Sequence, residues 1–117
     1  METFVINTLN ILNRNNVKND NIFNQFNITD SNVKNWIETY NVYNPVILEK
    51  MFENKTWDDE TGFIASFLDS YLETCEEQET NKEETLKLLS EEHTDRKFTG
   101  NFYKDIESLV NDLEDTL

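Results

Sequence analysis

Apolar residues recur along this chain at the three- and four-residue intervals of a helix, and nowhere in the strict alternation of a half-buried strand. Phe4, Val5, Leu9 and Leu12 share one face, with Ile6 and Ile11 beside them, which predicts a short amphipathic helix over residues 3–14. After the polar, Asn-rich stretch 13–19, Ile22, Phe23 and Phe26 mark a second short helix, with Asp20 placed to cap it. Thr29, Asp30 or Ser31 can cap a third, which turns Val33, Trp36, Ile37 and Tyr40 inward. Pro45 suits the first position of a fourth, bearing Val46, Ile47, Leu48, Met51 and Phe52. The clearest stripe follows: Phe63, Ile64, Phe67, Leu68, Tyr71, Leu72 and Cys75 fall along one side of a helix, with Asp69, Glu73, Glu76 and Glu77 opposite. Asn81 and Glu84 have the spacing of a capping box and start a helix with Leu86, Leu88 and Leu89. A last helix from about Asn101 buries Phe102, Ile106, Leu109, Val110 and Leu113, and is expected to expose Asp105, Glu107, Asp112, Glu114 and Asp115.

Composition supports this pattern. Two Gly and one Pro in 117 residues are too few turn residues for a β-rich fold. Fourteen aromatics, eight of them Phe, offset a hydrophobic content of only 37%, because each buries a large area. The expected fold is all-α, a small bundle of about six helices, with residues 1–57 and 58–117 as two modules or one continuous domain. One cysteine, Cys75, gives no disulfide framework and points to a reducing compartment. The first residues lack the basic and apolar regions of a signal peptide, and no apolar run reaches membrane-spanning length. A cytoplasmic location in a bacterial host cell is therefore expected. Heavy use of Asn before residue 45 fits a low-GC genome, that of a bacterium, its phage or a mobile element.

Charge divides the chain. Residues 1–57 carry six acids and five bases; residues 58–117 carry eighteen acids and five bases, most of the overall −14. Such a surface repels nucleic acid and acidic membranes and attracts basic proteins. Catalysis finds little support. His93 is the lone histidine, Cys75 lies on an apolar stripe, Gly62 and Gly100 stand apart from any phosphate loop, and Asp58-Asp59-Glu60 lacks the spacing of a calcium loop. The chain reads as a binding protein rather than an enzyme, with no cofactor and no metal.

Residues 21–37, NIFNQFNITDSNVKNWI, resemble the helix-turn-helix of phage-repressor-like DNA-binding proteins. Ile22 and Phe26 match the apolar positions of the first helix, Asn27 the turn, Ile28 the apolar residue after it, and Val33 and Trp36 the inward positions of the recognition helix. The resemblance implies a DNA-contacting face of Thr29, Asn32, Lys34 and Asn35, with the acidic half dimerising or touching polymerase. In size, acidity and helix content the whole chain also resembles phage-encoded DNA mimics, which inhibit CRISPR effectors, restriction enzymes, repair or transcription proteins. That resemblance implies a basic protein partner, a nucleic-acid-binding enzyme whose basic groove is occluded by carboxylates standing in for phosphates. The intact chain is then not expected to bind nucleic acid or membrane, and a homodimer is allowed. The residues assigned to partner binding are Asp69, Glu73, Glu76, Glu77, Glu79, Glu83 and Glu84, with a second ridge of Asp105, Asp112, Glu114 and Asp115.

Overall fold

A computed structural model describes every residue except Met1, Asn54 and residues 78–80. Among the described residues it is all-helical, with seven helices and no strand: α1 (Thr3–Leu12), α2 (Asn21–Gln25), α3 (Ser31–Tyr40), α4 (Pro45–Glu53), α5 (Glu60–Thr74), α6 (Lys82–Glu92) and α7 (Phe102–Thr116). The apolar stripes seen in the sequence supply the buried sides of these helices, although Val46 of α4 is 51% exposed and Leu86 and Leu88 of α6 are only half-buried.

Local chemistry fixes the helix ends. The Asp30 carboxylate accepts from the backbone N–H groups of Asn32 and Val33, Asp59 from Gly62, Asn81 from Glu84 and Asn101 from Lys104. Of the expected capping box, the structure shows the Asn81 cap on the Glu84 N–H, with the Asn81 side-chain amide also donating to a Glu84 carboxylate oxygen at 3.4 Å. At α4 the cap is Asn44, which accepts from Val46 and Ile47. Asp20 makes no side-chain cap to α2; the side chain of Asn19 accepts from Asn21 instead, at 3.1 Å. Asn27 and Asn41 take the left-handed conformation just past α2 and α3, at φ 53° and 58°. Asn41 then ties the connections together, its amide donating to the carbonyls of Asn13 and Asn16.

Two helix pairs organise the molecule. α1 runs antiparallel to α6: Phe4 and Thr8 meet His93 at the far end of α6, while Arg14 reaches Thr85 and Asn81 at its start. α5 packs on α4 and on α7, and α3 touches both α1 and α5. The core is a single cluster drawn from both segments of the chain, including Leu9, Ile37, Leu48, Phe63, Phe67, Leu68, Leu89 and Ile106, each fully buried. Trp57 lies inside it, its indole N–H donating to the Met51 carbonyl and its ring edge-on to Phe63 at 5.2 Å. Gly62 permits this approach, because a Cβ there would stand 2.8 Å from the Cβ of Trp57.

Candidate functional site: the acidic side of α5 and α7

α5 buries Phe63, Ile64, Phe67, Leu68 and Tyr71, which forces Asp69 and Glu73 outward, one helical turn apart. α7 lies against α5 in the antiparallel sense, its last residues beside Thr61 at the start of α5. This brings Glu114 over Asp69, close enough to hydrogen-bond. Burial, then the hydrogen bond to Asp69 and the charges of Asp69 and Asp115, push the Glu114 carboxyl up to about 7. Glu114 therefore stays protonated to a higher pH than an exposed glutamate, with the proton held between the two carboxyls. Two acids that meet across a helix pair repel when both are ionised, and a cation is the group that would relieve them.

The remaining acids fall into distinct places. Glu73 lies 3.8 Å from Lys50 and Glu76 3.9 Å from Lys82, both pairs being well exposed. Glu77, Glu83, Glu84 and Asp115 are exposed. Asp112 is exposed and ion-paired with Arg96, whose guanidinium also donates to the Ser108 hydroxyl. Glu79 lies outside the described residues. The structure thus joins Asp69, Glu73, Glu114 and Asp115 on one side of α5 and α7, and the Glu76–Lys82 contact links the end of α5 to the start of α6.

Asp105 corrects the expected second ridge. It is 5% exposed, and its carboxylate accepts from the Thr99 N–H, the Thr99 hydroxyl and the Gly100 N–H, at 2.9, 2.9 and 3.0 Å. The loop before α7 folds back over the helix start, and Gly100 at φ 89° makes that reversal. Asp105 is an internal anchor and is not available to a partner.

The helix-turn-helix candidate residues are placed differently. Thr29, Asn32 and Asn35 are exposed on α3 and its approach. Lys34 is half-buried, with its ammonium 5.7 Å from the Phe23 ring centre, so the one cation of that face is partly engaged. The Asp30 carboxylate stands at the same helix start.

Several polar residues join distant parts of the chain in ways that sequence periodicity does not show. The Thr8 hydroxyl donates to the Phe4 carbonyl at 2.6 Å, so it accepts from Nε2 of His93 at 2.7 Å. Burial, then the nearby Arg96 charge, hold His93 below its ordinary value, so the ring is neutral at pH 7. A hollow of ≈210 Å³ beside it is lined by Phe4, Arg96 and Asp112, whose charges pair with each other. His93 and Arg14 are structural ties between α1 and α6. The signal for Ser66 and Ser70, which line a cleft described below, is their spacing on the polar side of α5.

No family model, curated protein or solved structure matches this chain. Among the described residues no helix is long and apolar enough to cross a membrane.

Proposed function

We propose that the protein is a small inhibitor from a phage or mobile element, acting in the bacterial cytoplasm. It binds a basic, nucleic-acid-handling protein through the carboxylates of α5, of the α5–α6 connection and of α7. The mechanism is occlusion: carboxylates take the places of phosphates in a basic groove, with no catalytic step. The observation that carries this reading is the meeting of Asp69 and Glu114 inside an already acidic surface. A surface that served solubility alone would gain nothing from setting two carboxyls against each other where apolar or oppositely charged residues would strengthen the helix pair. Charge complementarity of this kind speeds encounter and makes it sensitive to salt.

Changing Glu73, Glu76 and Glu77 together to Lys tests it. These residues are exposed and their ion pairs with Lys50 and Lys82 are of the surface type, so the fold should persist. Against a basic protein captured from a low-GC bacterial lysate, association should slow and its salt dependence should flatten. An unchanged association rate and salt slope would end the inhibitor reading.

A second reading, a helix-turn-helix regulator, draws support from the left-handed Asn27 between α2 and α3 and from the Asp30 cap that starts α3. It places the sensitivity elsewhere: Asn32, Lys34 and Asn35 changed to Ala should then abolish operator binding, and the acidic triple change should be tolerated.

A further inference from the structure

α5 has a third kind of surface between its apolar stripe and its most exposed acids. Gly62, Ala65, Ser66, Asp69, Ser70 and Glu73 follow one another at helical intervals along one side. Four of the six are small. The wall beside them is formed by Lys50 of α4 and by Trp57, and the space enclosed is an open cleft of ≈370 Å³.

At its base lies Ser70, which is 6% exposed. A serine inside a helix ordinarily returns its hydroxyl to the carbonyl one turn back, as Thr74 does to Ser70 itself at 3.1 Å. The Ser70 hydroxyl makes no hydrogen bond to any described residue, and no buried side-chain polar atom there is sealed off without a partner, so this hydroxyl opens to the cleft. Its donor and acceptor capacity is unspent. Asp69 adds a carboxylate beside it, Glu73 adds a second at the rim, and Ser66 adds another hydroxyl.

We propose that this cleft receives one arginine side chain projecting from the partner. The inference rests on the reading that the acidic surface binds a basic protein, and it gives that surface a fixed point of attachment. A guanidinium presents five N–H donors in a planar fork, and the cleft offers acceptors of two kinds, carboxylate and hydroxyl, without an internal donor to satisfy them all. Its alkyl stem can lie over Gly62, Ala65 and the edge of Trp57, which supply apolar contact at little steric cost. At the rim the incoming cation replaces Lys50 as the partner of Glu73. A lysine ammonium, compact and more strongly hydrated, would use fewer of these acceptors.

The test is a titration of the intact protein with N-acetyl-argininamide, followed by amide chemical shifts. N-acetyl-citrullinamide serves as the uncharged isostere. Saturable shifts should be confined to residues 62–73, Lys50 and the Trp57 indole, with citrullinamide giving none at equal concentration. Ser66→Leu fills the cleft without altering charge and should weaken the response at least tenfold. Ser70→Ala adds no bulk and should weaken it severalfold, which keeps the test decisive if the leucine variant does not fold. Shifts that spread without saturation over Glu83, Glu84 and Asp115, or an equal response from citrullinamide or from the folded Ser66→Leu protein, would overturn the assignment. If the cleft fails these tests while the Glu73, Glu76 and Glu77 change still slows partner association, the inhibitor reading stands without it. If argininamide saturates the cleft and the triple change has no effect on association, the inhibitor reading falls and the cleft remains an arginine site.

Discussion

The seams α1–α6 and α5–α7 both join helices far apart in sequence, yet they treat polar groups in opposite ways. Across the first, the polar contacts among the described residues are complementary. Thr8 accepts from His93, the Asn7 amide donates to Glu92 at 2.8 Å, and the Arg14 guanidinium donates to the Thr85 hydroxyl at 2.7 Å and to the Asn81 carbonyl at 3.3 Å. Across the second, Glu114 meets Asp69 and gains relief only by retaining a proton. The first seam is what selection for a stable fold produces. The second sets two carboxyls against each other, a local cost of the kind that functional sites are expected to carry. A cation delivered by a partner would complete the second seam as Arg14 completes the first.

The comparison can be broken at its apolar foundation. If the α5–α7 seam holds despite its carboxyls, the cohesion comes from the stripe beneath them. Phe67 is fully buried, with Tyr71 5.9 Å away between ring centres, and Phe67→Ala should cost roughly 3–5 kcal/mol. Denaturant midpoints would measure this, and a loss under about 1 kcal/mol would mean that the stripe is not what binds α5 to its neighbours.

A carboxylate that is fully satisfied should behave unlike Glu114. Asp105→Ala removes three hydrogen bonds and leaves the amides of Thr99 and Gly100 unpaired, at about 2–3 kcal/mol. Thermal unfolding gives the size, and protection of the Gly100 amide from exchange should fall with it. On the complementary seam, Thr8→Val keeps the shape but removes the acceptor from His93, for a loss of about 1–2 kcal/mol.

The smallest expected effect has the opposite sign. The folded protein holds Glu114 above its ordinary value, so this group contributes stability that is complete below about pH 4.5 and is lost as pH rises through about 7. His93 is held below its ordinary value, so its contribution is present above about pH 6.5 and is lost as pH falls. Glu114→Gln keeps a donor toward Asp69 without the charge. It should stabilise the protein by about 1 kcal/mol at pH 8, a figure reduced for the partial exposure of the site, and the gain should vanish near pH 5. Melting temperatures of the two proteins across that range would check it, and a Gln variant less stable than the parent at pH 8 would mean that the carboxyl pair is not a cost.

The helices were legible because each stripe, such as Phe102, Ile106, Leu109, Val110 and Leu113, carries its own period. Caps at Asp30 and Asn81 were legible because they act within three residues. Asp105 was misplaced for the complementary reason. Its helical position reads as outward, but the loop at Thr99 and Gly100 folds over it, and no periodicity describes a loop. Asp20 failed as a cap because Asn19, one residue earlier, is the side chain that meets the Asn21 amide at the start of α2. The Asp69–Glu114 meeting and the Ser70 cleft depend on which helices pack together, and a stripe shows that a helix has a partner without showing which.

The central claim is that the acidic surface occupies a site otherwise filled by nucleic acid. Its most direct test is a competition: the captured basic protein, held by this chain, is titrated with the nucleic acid that it binds. The account predicts mutual exclusion, with nucleic acid displacing the protein and raising its apparent Kd in proportion to the free nucleic-acid concentration. A ternary complex in which both bind with undiminished affinity would contradict it.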